Sequence, residues 1–391
     1  MEVKQIANLV NSITKEIDGS IAVLQEDLSN VVETGQTLAN AGQVAVDNYV
    51  RALPDVIGRM VFVNRKYAGG APNILMEGWE YGSIMGKYRS KMPDATENES
   101  WELQDGASYD MGIFTKPFAS VKFFNKKVTF EIPLSITYKQ VMESFNSAQQ
   151  LNGFIEMIYN EVDKSMTVKL DSLIMRTINN FAAETIHNGV GSTLGNSSVR
   201  AVNLLKLYND QKGGTALTAA KAIYDPEFIR FAVYTIGKYR DYMTRINTNF
   251  NMGGTEKFTP VEMQRAVLLS DFAKAAGVYL YDANGQFNTG NLSLGKFDTV
   301  PFWQGSGTTF AFYDLSTIKV KTSEGNEVDC SGVLGVLFDR DACAVCNQDR
   351  RVTAAPYNAK GEFWNQWHKW DCEYINDFDE NFVVFFIHDA A

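Results

Sequence analysis

Histidine and cysteine are scarce in this sequence. The three histidines, His187, His368 and His388, are scattered through 391 residues, and Cys330, Cys343, Cys346 and Cys372 all fall in the last 62. Histidines so dispersed exclude a Ser/His/Asp or Cys/His constellation argued from spacing. Cysteines confined to one end exclude a secreted disulfide scaffold, which uses them more densely, so free thiols in a reducing compartment are expected. Long apolar runs are also missing. None approaches ~18 uninterrupted residues, so no membrane-spanning helix is expected. The first ten residues, MEVKQIANLV, lack the apolar core of a secretion signal. No run is strongly basic: the net charge is −10, and the densest basic stretch, 122–127, lies among aromatics in strand-like sequence. A module that grips DNA or RNA shows a basic face, so none is expected, whereas passive enclosure of nucleic acid needs no such face. Charged residues of all kinds make up 21%, below the roughly 25% of a typical soluble domain. That shortage suits a surface partly covered by neighbours.

Apolar material is plentiful. Hydrophobic residues make up 45% and aromatics 12%, and the length suggests two or three lobes at ~150 residues each. Residues 3–17 place Ile6, Leu9, Val10, Ile13 and Ile17 on one helical stripe that Gly19 ends. A weaker helical pattern runs from Leu24 to about Val50, interrupted by Gly35 and Gly42. This arm is amphipathic and must rest on the remainder of the chain or on a partner. Val121 and Phe123, then Val128, Phe130 and Ile132, alternate with polar residues as strands do. Upstream of them lies RSKMPDATENESWELQDGASYD, residues 89–110, polar and without apolar period. The pattern predicts a long two-stranded ribbon over about 75–135 with a solvated tip. An isolated ribbon is marginal in water, so it should lie on something else.

Residues 136–187 carry apolar side chains at steps of three and four from Val141 to Phe181, a long spine helix with a kink or split expected at Asn152-Gly153. A glycine-rich loop follows at 187–198. Tyr224-Asp225-Pro226-Glu227 reads as a helix start. From about 261 short strands and turns alternate, with VYLYD, FAFYDL and IKVKT as strands and NGQFNTGN and GSGTT as turns. No solenoid repeat is present.

Three stretches resemble chemical motifs. GNLSLGKF, residues 290–297, fits the phosphate-cradling G-x-x-x-x-G-K, but Phe297 stands where Ser or Thr should reach magnesium, and Pro301 argues against the required helix. A surface turn is expected. GVGSTLG, 189–195, follows a helix rather than a strand, so it lacks the dinucleotide-turn context. Cys343, Cys346, His368 and Cys372 form C-x2-C-x21-H-x3-C, a donor set suited to tetrahedral zinc. Against zinc, LFDRDACAV (337–345) alternates as a strand, which turns Cys343 and Cys346 to opposite faces. Asp377, Asp379 and Glu380 read as the acidic turn of a solvated hairpin. No catalytic, cofactor-binding or metal-binding residue is assigned.

The densest aromatic stretch is GEFWNQWHKWDCEY, residues 361–374. Trp364, Gln366, His368, Trp370, Cys372 and Tyr374 share one strand parity, and Phe363, Asn365, Trp367, Lys369, Asp371 and Glu373 the other. This is the pattern of a half-buried strand. The turn NDFDEN and the apolar FVVFFI follow, so a core strand pair is expected to close the C-terminus.

The succession GVLGVLFDRDACAV, a variable loop, then GEFWNQWHKWDCEYINDFDENFVVFF resembles the C-terminal end of tailed-bacteriophage major capsid proteins. The order of the whole chain is similar to the Hong Kong 97-like fold. The likeness in residues is confined to about 333–387. It implies an α+β chain with an N-terminal arm (1–52), an extended-loop region (53–135), a peripheral domain with the spine helix (136–215), an axial domain (216–322) and closing strands (323–391). It also implies a non-enzymatic, self-assembling shell subunit of the virion, built up in the host bacterial cytoplasm. Hexamers and pentamers would close an icosahedron around double-stranded DNA, without sequence-specific contacts and with no membrane, alongside scaffolding, portal and decoration proteins. No cofactor is implied, no counterpart of the family's lysine–asparagine cross-link is assigned, and no appended immunoglobulin-like domain is expected. The ribbon would lie over the adjacent subunit, so deleting 89–110 should block closed shells while leaving folded protein. Three alternatives stay open. An encapsulin-type nanocompartment shell would share the fold and enclose enzymes, a zinc-binding protein would use the four residues above, and a tail or baseplate component would form tubes or rings.

Overall fold

The computed structural model describes residues 24–25, 27–41, 44–50, 71–76, 85–93, 102–108, 118–279, 297–304, 311–322 and 324–389, with isolated positions 7, 10, 11, 95, 97, 112, 114 and 116. The first expected helix and the segment GNLSLGK fall almost wholly outside these residues.

Two sheets organise the chain. The first has strand order β1 (Leu75–Met76), β11 (Cys343–Ala354), β12 (Phe363–Asn376), β4 (Lys127–Thr137). The second has order β5 (Ala201–Asn203), β13 (Phe382–Phe386), β10 (Val333–Asp339), β6 (Gln264–Leu269), β7 (Phe297–Val300). β12 and β13 therefore do not pair with each other, and the closing pair expected from sequence is divided between the sheets. Two further pairs stand apart: β2 (Met85–Ser90) with β3 (Ala119–Phe124), and β8 (Ile318–Lys321) with β9 (Glu327–Cys330).

Among the described residues the helices include α1 (Val31–Asn40), α2 (Tyr138–Ser144), α3 (Ala148–Val190), α4 (Leu204–Lys212), α5 (Ala219–Ala222), α6 (Pro226–Met243), α7 (Ser270–Tyr279) and α8 (Phe312–Leu315). The spine is α3, 43 residues long, or about 65 Å at 1.5 Å per residue. It runs unbroken through Asn152-Gly153. The break lies earlier, at 145–147, and has local causes. Thr137 and Gln140 form a reciprocal cap that starts α2, and Ser147 accepts from the Gln150 amide to start α3 anew. Phe145 between them is buried against Gly35 of α1, where a β-carbon would overlap its ring.

That contact answers what the N-terminal arm rests on. Leu24, Leu28, Val31, Leu38, Val46, Tyr49 and Val50 share a core with Val141, Phe145, Leu151, Ile155, Ile158 and Trp364 of the same chain. The Trp364 indole donates to Asp47, and the Gln366 amide donates to the Val50 carbonyl at 2.8 Å. A second, larger core joins the remaining length of α3 to the five-stranded sheet and to α4, α6 and α7. α6 starts where its sequence predicts: Asp225 accepts from the Glu227 and Phe228 amides, and Pro226 occupies the first turn.

Local differences from the sequence reading have physical causes. LFDRDACAV is not one strand. The Asp341 amide donates to the Asp339 carboxylate at 2.9 Å and the Ala342 amide to the Asp339 carbonyl at 2.9 Å, which turns the chain between β10 and β11. FAFYDL contains a single helical turn, α8, held by Asp314 and Leu315 amides on the Ala311 carbonyl, with Leu315 buried. VYLYD begins inside α7, since Val278 and Tyr279 are its last residues. In FAFYDL the burial of Leu315 goes with the helical turn, against the aromatic preference for strands. IKVKT holds as β8. The ribbon is shorter than its pattern suggests, because β4 belongs to the four-stranded sheet and pairs with β12 from Thr137 to Lys127.

Candidate functional site

The four zinc-type donors are not brought together. Cys343, Cys346, His368 and Cys372 are all buried, but they are strung along two strands. His368 and Cys372 are four residues apart on β12, about 13 Å at the strand rise. Cys372 lies opposite Asn347, and His368 lies opposite Val352 and Ile132. Burial pushes the thiol of Cys330 up to about 12 and that of Cys346 to about 11, and it raises Cys343 as well. Among the described residues no group of three or more His, Cys, Asp or Glu is placed to hold a metal. The even face of β12 is buried as expected from Trp364 to Cys372. The parity then changes. Glu373 and Ile375 are buried instead of Tyr374, close to a bulge that gives β11 one extra residue between Asn347 and Arg350.

GVGSTLG sits at the end of α3, with Gly191 at φ 63 closing the helix. Phe297 opens a strand rather than a helix, so the described part of GNLSLGKF lacks the phosphate-loop context.

The concentrated chemistry lies elsewhere, where the chain crosses between its sheets. Residues 340–342 carry it from β10 to β11, and residues 377–381 carry it back from β12 to β13. The crossings run side by side. The Asp377 amide donates to the Ala342 carbonyl at 2.8 Å and the Asp339 amide to the Asn381 carbonyl at 2.9 Å. The Thr259 hydroxyl donates to the Asp339 carboxylate at 2.7 Å, and the Asn381 amide donates to Thr259 at 3.1 Å.

This second crossing is the acidic turn, and it is not solvated. The Asp377 side chain is fully buried and Glu380 nearly so. The cover is the ribbon of β2 and β3. Its register sets Lys87 opposite Lys122 and Arg89 opposite Ser120, so three cations share one face. Like charges directly opposite are unfavourable unless something neutralises them. Here the turn does. Lys87 Nζ is 3.0 Å from Asp377 and 2.6 Å from Glu380, and Lys122 Nζ is 3.1 Å from Asp377 and 3.0 Å from Asp379. Arg89 bridges Asp377 and Asp379. Lys257 adds a fourth cation, 3.0 Å from Glu380. Burial alone would raise the Asp377 carboxyl, but Lys87 and Lys122 outweigh it and hold the group at about 2. The same carboxylates raise Lys87 and Arg89 against the opposing effect of burial. Asp339, nearby and buried without a cation, is raised.

The other ribbon face is apolar and open. Tyr88 is 79% exposed and Phe123 66%, with Val121 directly opposite Tyr88 in the register, and Phe114 nearer the tip is 83% exposed. Both faces were legible in outline. Lys87 and Arg89 alternate with Tyr88, and D-x-D-E follows a strand. Their mutual contact was not, because it joins segments about 290 residues apart.

The family whose profile matches the chain is described as Phi29-like phage major capsid protein, and the match covers residues 10–386. No curated protein matches the sequence. Solved structures with a similar course include the capsid of Staphylococcus phage Andhra (8% identity, TM-score 0.44, covering 82% of this chain and 84% of that one). The capsid of the cyanophage P-SCSP1u shows 10% identity and a TM-score of 0.46, covering 81% of this chain and 86% of its own. A chain from the head fibre and inner core structure of bacteriophage P68 shows 10% identity and a TM-score of 0.47, covering 82% and 85%.

Proposed function

The chain belongs to the Phi29-like phage major capsid proteins, and from that premise we propose how this structural subunit of a phage head joins its neighbours. In this reading the ribbon's outward face, Tyr88, Val121 and Phe123, is covered by an adjacent copy. That exposed face carries the proposal: a ribbon whose cationic side is occupied within its own chain and whose apolar side is open needs a second surface. The tip adds charge. Asp94, Glu97, Glu99, Glu102, Asp105 and Asp110 fall in a stretch, 92–115, without lysine or arginine. A complementary surface is the outer stripe of α3, where Lys164, Lys169 and Arg176 flank Val168, itself 61% exposed.

On this reading the segments keep the roles of a Hong Kong 97-like chain: arm (1–52), extended loop (53–135), peripheral domain (136–215), axial domain (216–322) and closing strands (323–391). The order of ribbon, spine helix, mixed lobe and returning strands supports that division. Copies assemble into hexamers and pentamers in the host cytoplasm, with scaffolding, portal and decoration proteins as further partners. Double-stranded DNA is held by confinement, in keeping with the net charge of −10. No step calls for catalysis. Negative-stain microscopy with sedimentation, on the protein expressed alone and with the neighbouring phage genes, tests the assembly. Closed uniform shells in either preparation are expected, and a discrete small oligomer in both would overturn it.

A further inference from the structure

The described strands of the ribbon are held to the body by charge. Among the described side chains of β2 and β3, none belongs to, or packs against, either apolar core. Six paired positions bind the two strands to each other, so the ribbon is a unit in itself. On one side only Asn125 and Lys126 separate β3 from β4. Its anchorage is Lys87, Arg89 and Lys122 on Asp377, Asp379 and Glu380, with Lys87 also donating to the Asp341 carbonyl at 3.4 Å. Apolar contacts tolerate changes of charge and ionic conditions, whereas ion pairs at a partly open edge do not.

We propose that this cluster is an ionic latch, which fixes the ribbon in one orientation over the inter-sheet crossing and, when opened, lets it swing as a unit about Asn125–Lys126. The charged groups around it come from every adjoining element. Lys87 and Arg89 lie on β2, Lys122 on β3 and Lys257 on the segment before β6. Asp339, Arg340 and Asp341 lie at the first crossing, and Asp377, Asp379 and Glu380 at the second. None of these is a histidine, so the latch stays shut across neutral pH and opens when cations are displaced or carboxylates neutralised. Removing the carboxylates leaves Lys87 and Arg89 largely desolvated without counter-charge, and both regain water only if the ribbon leaves. The latched turn is also the link between β12 and β13, so the ribbon's orientation is tied to the junction of the two sheets. The inference deepens the shell-subunit reading, and depends on it only for the consequence that a freed ribbon changes how copies meet.

Spin labels at Ser90→Cys and Lys221→Cys in the full-length, unassembled chain measure the ribbon's position by pulsed dipolar spectroscopy. The native cysteines are buried and leave the label to the introduced sites. The unaltered cluster should give one narrow distance. The variant Asp377→Asn/Asp379→Asn/Glu380→Gln should broaden the distribution at least threefold. So should Lys87→Gln/Arg89→Gln/Lys122→Gln, which leaves the crossing's own sequence intact. Circular dichroism establishes that each is folded. Folded variants that keep the narrow distance overturn the latch. If the crossing variant unfolds, the ribbon variant decides, and if both unfold the cluster is part of the core and the proposal fails. Sedimentation of the unlabelled wild type reads assembly separately. Shells with an immovable ribbon contradict the latch alone, and a movable ribbon without shells contradicts the shell reading alone.

Discussion

Asp377 concentrates the electrostatics of the molecule in one carboxylate. Its pKa in the fold, about 2, lies below the ordinary 3.8, so the group stabilises the folded chain at every pH above 3.8. That contribution is lost as pH falls toward 2. The difference corresponds to about 2 kcal/mol. Asp339 works in the opposite sense. Its raised pKa means that protonation relieves the fold, offsetting part of the loss in acid. Asp377→Asn should therefore flatten the decline of thermal stability between pH 4 and pH 2 relative to wild type, with scanning calorimetry as the measurement; equal slopes would count against the assignment. The thiols give a second residue-level expectation. Because all four cysteines are buried, and burial raises Cys330, Cys343 and Cys346, the native protein should react with a colorimetric thiol reagent at well under one site per chain. Four sites should react in denaturant. Fast reaction of any native thiol would show that the C-terminal strands open more readily than their packing implies.

At the scale of elements, the N-terminal arm is a docked part of the subunit, and its seat is narrow. Gly35 admits the Phe145 ring, and Trp364 donates to Asp47 from the end of β12. Gly35→Ala should force that ring away, costing about 1–3 kcal/mol as overpacking does. Protease cleavage within residues 1–50 should accelerate, while the fragment beyond the arm stays resistant. Unchanged cleavage would mean that the arm is held elsewhere. Elements were also where the sequence was most readable and where it misled. The stripe of Leu151 to Phe181 and the alternation of 363–372 are local repeats, and they appear as a helix and a strand with the faces expected. The break at 145–147 was hidden because a serine cap and one buried phenylalanine outrank the Asn-Gly pair that draws attention. The acidic turn misled for a related reason. Composition says that Asp-Phe-Asp-Glu prefers water, and only the tertiary fold supplies four cations from residues 87, 89, 122 and 257. The zinc pattern failed on geometry that strand parity already contained.

The whole molecule is a body of two sheets sharing one long helix, with a ribbon that turns its charge inward and its aromatics outward. The family it belongs to is that of the Phi29-like phage major capsid proteins. Charge on the spine's outer stripe should matter only between copies. Lys164→Glu/Lys169→Glu should leave the isolated subunit's unfolding temperature within a few degrees of wild type, because exposed charges contribute little. It should also raise the concentration at which shells form at least tenfold, as read by sedimentation; an unaltered threshold would move the ribbon's seat away from α3. The most direct test of the account removes the ribbon's tip and keeps its latch. The Lys91 amide donates to the Phe118 carbonyl at 3.1 Å, so an Asn-Gly turn in place of residues 92–117 closes the two strands without touching Lys87, Arg89 or Lys122. Electron microscopy of this variant, expressed alongside wild type with the same phage partners, is the measurement. Folded, soluble subunits and no closed shells are expected from the variant where wild type forms them. Normal shells from the shortened ribbon would contradict that.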